Sequence, residues 1–338
     1  MPYEHELEKA LGHIADSGLA TEVGLVSLGG SHAYGLSTPD SDIDLRGFAM
    51  PTSRDILIGS DFGQIETMRD IDMTIYSLAK ACELMAKCNP NMVELLGLDE
   101  DAILVSSTAY ETLRSHPEWF LSKRAAYTFG GYATAQLRRI KNAMARDQNA
   151  RYLAKGEIRS LEAALMALPD SYPMLKGKVD FSFDDLDTDD EHVRIMVTVS
   201  TKRVPATELA AFARQLDSAR KSAETIGKNR RKESSKLAKH ASHLIRLLHM
   251  GCEILVGKGI NTRRTEDREL LLDIKEGKWL HEKDGVRTYD DEFWELLESA
   301  EKEFSEAKNN TCLPDRPNLD ELNDFIVGEH RRIVETYC

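Results

Sequence analysis

The stretch "GGSHAYGLSTPDSDIDLRG", residues 29–47, constrains the fold more than any other part of the chain. Asp42 and Asp44 alternate there with Ile43 and Leu45. In an extended strand successive side chains leave opposite faces, so the apolar pair enters a core while both carboxylates project to the other side. The same alternation returns in "DIDMTIYSL", residues 70–78, where Ile71, Met73 and Ile75 oppose Asp70, Asp72 and Thr74. Two such strands side by side would aim several carboxylates at one spot. Carboxylates about 4 Å apart repel by roughly 4 kcal/mol at an effective dielectric near 20, and by only about 1 kcal/mol in bulk water. On an open surface the cluster is cheap. In a cleft it raises a carboxyl pKa unless a cation compensates, and Mg²⁺ suits a few carboxylate oxygens completed by water and phosphate.

The elements around these strands follow from periodicity. Leu7, Leu11 and Ile14 fall at helical spacing, with Gly18 as the stop. "EVGLVSL" (22–28) reads as a strand, followed by Gly29, Gly30, Ser31 and a short helix that Pro39 ends. "DIDLRGFAM" (42–50) reads as the next strand, and "RDILIG" (54–59) extends the sheet or ends in a turn. A helix at "AKACELMAKC" follows the 70–78 strand, and Asn89 or Asn91 caps another at "NPNMVELLGL". Gly30–Ser31, between a strand and a helix, lets backbone N–H groups approach a phosphate with the serine hydroxyl as a further donor. Set beside a carboxylate cluster, this is the pairing that phosphoryl transfer requires.

From His116 onward the character changes to helix. "WFLSKRAAYTFGGYATAQLRRIKNAMAR" is a long helical pattern with a break expected at Gly130–Gly131, and "EIRSLEAALMAL" is a separate helix. "KVDFSFDDL" and "HVRIMVTVS" alternate with period two and predict a hairpin. Five further helical patterns follow, and "GINTRRTEDRELL" starts one of them with Thr265 as cap. The fold class is therefore α+β: a small mixed-sheet core over residues 1–115, then a mostly helical region over 116–338 with a β-hairpin insertion. No run of about 18 apolar residues occurs, so no spanning helix is expected. The acidic start "MPYEHELEKA" lacks the basic-then-apolar pattern of a leader, which leaves a cytoplasmic site as the expectation. Five scattered cysteines without a C-x-x-C pair argue against a disulfide framework or zinc site.

The order of strand, Gly-Ser, short helix, Asp-x-Asp strand and a later aspartate on a strand resembles the polymerase-β-type nucleotidyltransferase superfamily. The resemblance implies that Gly30 and Ser31 form the phosphate-binding turn and that Asp42 and Asp44 bind metal. Asp72 would be the third carboxylate and help deprotonate the attacking hydroxyl, with Asp70 as its competitor. "GSHAYGLSTPDSDIDLRG", "DMTIYSL", "NPNMVELL", "LSKRAAYTFGGYATAQLRR", "KHASHLIRLLHMGCEIL" and "DRELLLDIKEG" are similar to the YcgL-like predicted nucleotidyltransferases, also called RlaP, the RNA-repair-pathway polymerase-β family. His32 departs from that pattern, standing where arginine is expected.

Charge is segregated within a net of −13. Residues 180–191 carry seven acids and no base, whereas residues 220–239 carry eight bases and two glutamates. That net charge argues against nucleic-acid binding by the whole surface but leaves local patches open. Lys123 and Arg124 open one helix, on which Tyr132, Gln136 and Arg139 share a face. Lys239, His243 and Arg246 form a stripe on another, with His240 beside it and Leu244, Leu247, Leu248 and Cys252 opposite. Spacing alone leaves these as surface bases paired with an acid-rich protein, with His243 as a satisfied packing histidine. The resemblance assigns Lys123, Arg124, Lys239, His243 and Arg246 to nucleotide binding. "GKNRRKE" (227–233) is either a phosphate-backbone grip or a solvated loop. No P-loop, nucleophile elbow or H-E-x-x-H pair is present in the sequence.

The expected activity is Mg²⁺-dependent, with Mn²⁺ as the substitute, and transfers a nucleotide from an NTP, ATP first among them, to an acceptor hydroxyl. An RNA end is the first acceptor, with an RNA ligase as a possible partner. A protein side chain or small molecule is the alternative acceptor. A silent nucleotide-binding sensor is the rival from a different class.

Overall fold

A computed structural model of the chain describes residues 3–39, 41–67, 72–183, 195–200, 203–223, 233–283 and 285–338. Asp70, the acidic loop 184–194 and the bases of 227–232 lie outside the described residues. The chain starts with helix α1 (Glu4–Ser17), closed by Gly18 in the left-handed conformation, and strand β1 (Ala20–Leu28). One helical turn, α2 (Gly30–Ala33), leads to β2 (Asp44–Pro51). Next come α3 (Ser53–Ile58), β3 (Gln64–Thr67), β4 (Asp72–Ser77), α4 (Leu78–Ala86) and α5 (Pro90–Val93). A 3₁₀ turn, Glu94–Gly97, precedes β5 (Ile103–Ser106) and α6 (Thr108–Ser115).

The five strands form one mixed sheet in the order β3-β4-β2-β1-β5. β2 runs antiparallel to β1 and parallel to β4. Val26, Leu28, Leu45, Ala49, Met73 and Ile75 of this sheet are buried. Helices α1 and α6 pack against β1, and α4 packs against β2 and β4.

The remaining elements are α7 (Arg124–Ala167), β6 (Val179–Phe183), β7 (Ile195–Val199), α8 (Ala206–Ala223) and α9 (Ser234–Leu255). They are followed by α10 (Arg268–Glu276), β8 (Leu280–Lys283), β9 (Val286–Tyr289), α11 (Asp291–Asn310) and α12 (Leu319–Tyr337). The class is α+β as expected, a mixed sheet and then a mostly helical region with a hairpin. Among the described residues no helix is long and apolar enough to cross a membrane.

Two compact units divide the chain. The first comprises residues 1–139, 238–280 and 289–338, so the sheet shares a unit with most of α9, with α10, α11 and α12. The second comprises residues 140–237 and 281–288. In the second unit β6 pairs antiparallel with β7, Val179 facing Val199, which is the expected hairpin. Tyr172 meets Phe212 edge-on, and Arg287 is buried against Asp147 at 2.6 Å.

Three local expectations are corrected. "RDILIG" is helix α3, because the Thr52 hydroxyl accepts the Asp55 N–H at its start and Gly59 closes it in the left-handed conformation. α7 runs unbroken over 44 residues through Gly130–Gly131. Phe304 lies 3.3 Å from where a Cβ of Gly130 would sit, so the small residue serves packing and does not end the helix. α10 is flanked by Asp267 and not capped by Thr265. The Asp267 carboxylate makes no cap bond and is held instead by Arg264 and His249.

Gly47 fixes the closeness of the two central strands. A Cβ there would lie inside the van der Waals envelope of the Leu25 carbonyl on β1. Gly47→Ala is expected to cost about 3 kcal/mol of stability by overpacking, read as a lowered denaturant midpoint at unchanged m-value.

Candidate active site

The antiparallel ladder of β1 and β2 ends with Leu28 opposite Leu45, so the turn leaving β1 arrives at the first residue of β2. There the Gly29 N–H donates to the Asp44 carbonyl at 2.8 Å. Gly30 has φ +55°, and a side chain on it would collide with the Asp44 carboxylate. Only glycine meets both conditions. Ser31 is half-buried in the same turn, whose first N–H groups have no partner within the turn itself.

The parallel ladder of β2 and β4 sets Asp44 directly opposite Asp72, and paired residues project from the same face. Arg46 then faces Thr74, and Phe48 faces Tyr76. Asp44 is half-buried; Asp72 is exposed. β2 begins only at Asp44, so Asp42 lies in the exposed segment before the strand and not on its face as the alternation predicts. The Asp44 carboxyl titrates above its ordinary range. Burial is the first cause, opposed by the Arg46 guanidinium and reinforced by a hydrogen bond with Asp72 and by the charges of Asp72 and Asp42.

Among the described residues no three His, Cys, Asp or Glu side chains are gathered into a metal cage. A cage is not what Mg²⁺ demands, since it is usually held by one or two carboxylates with water and substrate phosphates completing the octahedron. The donor set therefore fits a hard divalent cation: two facing carboxylates, one of them already burdened by the other, with Asp42 at their flank.

The basic residues expected at the site divide into three groups. Lys239 is exposed on α9, and its charge acts on Lys275, whose ammonium donates to the Leu36 carbonyl at 2.6 Å in the loop leading to Asp42. Gln136 of α7 is buried and its Oε1 meets His240 Nδ1 at 2.8 Å and Arg139 Nη1 at 3.2 Å. His243 is pushed down to about 2, first by burial and then by Arg246, His240, Arg139 and Arg46 around it. Its Nε2 is buried and, among the described residues, has no hydrogen-bond partner.

Arg246 is not part of an exposed stripe; it is only 3% exposed, its guanidinium 3.5 Å above the Tyr34 ring. Lys123 is exposed at the start of α7 and paired with Asp315 at 2.7 Å. Arg124 is exposed beside it, and the principal charges on Asp44 and His243 include neither residue.

Sequence reasoning missed Arg46, Tyr34 and Glu94. Glu94 is 1% exposed, accepting the Tyr34 hydroxyl at 2.6 Å and Arg46 Nη1 at 2.8 Å, with Arg246 Nη1 at 3.8 Å. The one available signal was Arg46 itself, two residues beyond Asp44 and hence on its face of β2.

His243 generates a pH prediction. Unfolded, its imidazole protonates below 6.5; folded, it stays neutral down to about 2, so stability is lost as pH falls below 6.5. Between pH 7 and pH 5 the loss from this residue is about 2 kcal/mol. The wild type is expected to fall by that amount relative to His243→Gln in urea titrations at the two pH values.

Residues 5–161 match the family described as RlaP, the RNA repair pathway DNA polymerase beta family. An uncharacterized 38.9 kDa protein from the nrdC–mobD intergenic region of Enterobacteria phage T4 is 33% identical over 87 residues, 23% of this chain and 26% of the phage protein. The chain thus spans about a quarter of the length of the curated relative it matches. No solved structure matches.

Proposed function

Because residues 5–161 match the RNA repair pathway DNA polymerase beta family, we propose that the chain is a metal-dependent nucleotidyltransferase that moves an NMP from an NTP to an acceptor hydroxyl. The observation that carries this reading is the Asp44–Asp72 pair across the parallel ladder, set against the Gly30 turn. Asp44 and Asp72, with Asp42, would hold Mg²⁺, or Mn²⁺ in its place. The ion supplies charge neutralisation at the phosphates and a lowered pKa for a coordinated hydroxyl.

Gly30 and Ser31 receive the phosphate chain. Lys239, His243 and the bases around them face its negative charge, and Lys123 and Arg124 are left for the acceptor. The acceptor oxygen forms a bond to the α-phosphorus as the bond to the bridging oxygen of the β-phosphate breaks, releasing pyrophosphate. The proton of the attacking hydroxyl passes to Asp72, whose exposed carboxyl is the accessible member of the pair.

The acceptor we favour is an RNA end, in the cytoplasm and in company with an RNA ligase, from the family's association with RNA repair. A net charge of −13 favours the second reading, a protein or small-molecule acceptor. Labelled NTPs with Mg²⁺ and a panel of RNAs and proteins separate the two. RNA transfer should decline steeply with added salt, because phosphate contacts release counterions; a small acceptor should be indifferent. Tight NTP binding without transfer to any acceptor would leave the chain a sensor.

Asp44→Asn is expected to cut transfer by about a thousandfold, some 4 kcal/mol of transition-state stabilisation. It should also raise Tm by a few degrees at neutral pH. The sign follows from the raised carboxyl: its ionisation in the fold is unfavourable above the unfolded value of 3.8, and an amide removes that cost. Transfer assays and calorimetry on the same preparation check both halves.

A further inference from the structure

Glu94 presents a problem of charge. A carboxylate 1% exposed is costly unless it is paired and hydrogen-bonded. Here it is more than paired. Its two oxygens receive Tyr34 and Arg46, and Arg246 stands at 3.8 Å, so two guanidinium groups serve one anion. The network is anchored on every side. Arg246 lies over the Tyr34 ring at 3.5 Å, and the Glu94 backbone carbonyl accepts the Thr262 hydroxyl at 2.6 Å. The Tyr34 carbonyl accepts the Arg264 N–H at 2.9 Å.

Arg46 is the exposed end of this assembly, with 24% of its side chain open to solvent. It shares a strand face with Asp44 and lies along Gly29, where a Cβ would sit 3.3 Å from its Cγ, Cδ and Nε. Among the described residues only its Nη1 has a hydrogen-bond acceptor, Glu94. An arginine held at one nitrogen leaves the rest of its planar fork presented, the geometry that matches phosphate oxygens. An independent feature lies in the same neighbourhood: His243, on whose ring Arg46 acts, has a buried Nε2 without a partner among the described residues.

We propose that Arg46 is a phosphate-binding residue of this site, and that Glu94, locked by Tyr34 and Arg246, is the positioning residue that aims it. The inference rests on the nucleotidyl-transfer reading and specifies its substrate contact. Because Arg46 reads phosphate and not base, its loss should weaken all four NTPs by the same factor.

The test is equilibrium binding to the full chain of ATP and of inorganic tripolyphosphate, which carries no base. Arg46→Gln is expected to weaken both about tenfold, with circular dichroism and Tm showing the fold intact. Glu94→Gln should weaken them several-fold. In the Arg46→Gln background it should add nothing, because a positioning residue acts only through what it positions. Guanidinium ion should restore part of the binding lost in Arg46→Ala, an effect that a merely structural arginine would not show.

Wild-type affinity in folded Arg46→Gln overturns the proposal. So does a Glu94→Gln loss that adds in full to that of Arg46→Gln, and so does a wild type that binds neither probe. Arg46-dependent tripolyphosphate binding in a chain that transfers no nucleotide leaves this inference standing and removes the transferase reading.

Discussion

Strand register brings the site together. β1 and β2 are antiparallel, so the glycine turn must return to the start of β2. β2 and β4 are parallel, so the start of β4 must lie beside it. A one-residue slip of either ladder would turn Asp44 or Asp72 into the buried face now held by Leu45 and Met73. The apolar alternation of the strands therefore fixes two carboxylates next to each other although their charges oppose it. Hydrophobic burial wins because it acts along the whole of both strands, whereas the repulsion is local, partly solvated and eased by Arg46.

Behind that face lies a second layer that joins distant parts of the chain. Tyr34 follows the glycine turn, Arg46 sits on β2, Glu94 on the 3₁₀ turn, Arg246 on α9, and Thr262 in the loop before α10. Glu94 is their common point, through its buried carboxylate for Tyr34 and the two arginines and through its backbone carbonyl for Thr262. Most of α9, from Ala238 onward, consequently belongs to the same compact unit as the sheet. Its residues Leu244, Ile245, Leu247 and Leu248 are buried, and it docks as a core helix whose polar members turn inward to Glu94 and Gln136.

What could be read from the sequence was what obeys a short period. Alternation in 42–50 and 72–75 revealed the strands with Asp44 and Asp72, although it also put Asp42 on β2, which begins only at Asp44, and the Gly-Ser turn between a strand and a helix pointed to Gly30. What could not be read was long-range pairing. Glu94, inside "NPNMVELLGL", looks like the polar side of an amphipathic helix, and only Tyr34 and the two arginines reveal it as an interior anion. Arg246 has the helical spacing of a surface base, yet spacing does not say which stripe of α9 faces the sheet. α3 went unread because the Thr52 cap and the Gly59 stop enclose a helix of only six residues, too short for its period to be separated from a strand.

The polar groups of the first unit differ in how far they are satisfied, and the difference is spatial. Arg264 is completed by Glu253, Asp267 and the Asn261 carbonyl, and Arg332 by Glu22 and Glu329. Such groups have what stability asks of a buried or bridging charge. On the carboxylate face the balance is reversed. Asp44 is held above its ordinary titration, His243 is kept neutral with an open nitrogen, and Arg46 uses one donor of its fork. One open nitrogen alone would not mark a site, since His330 on α12 has one too. A raised carboxyl, a neutral imidazole with an open nitrogen and a guanidinium with unused donors, gathered around a turn that admits no side chain, form a set that a polyphosphate with a divalent ion would complete.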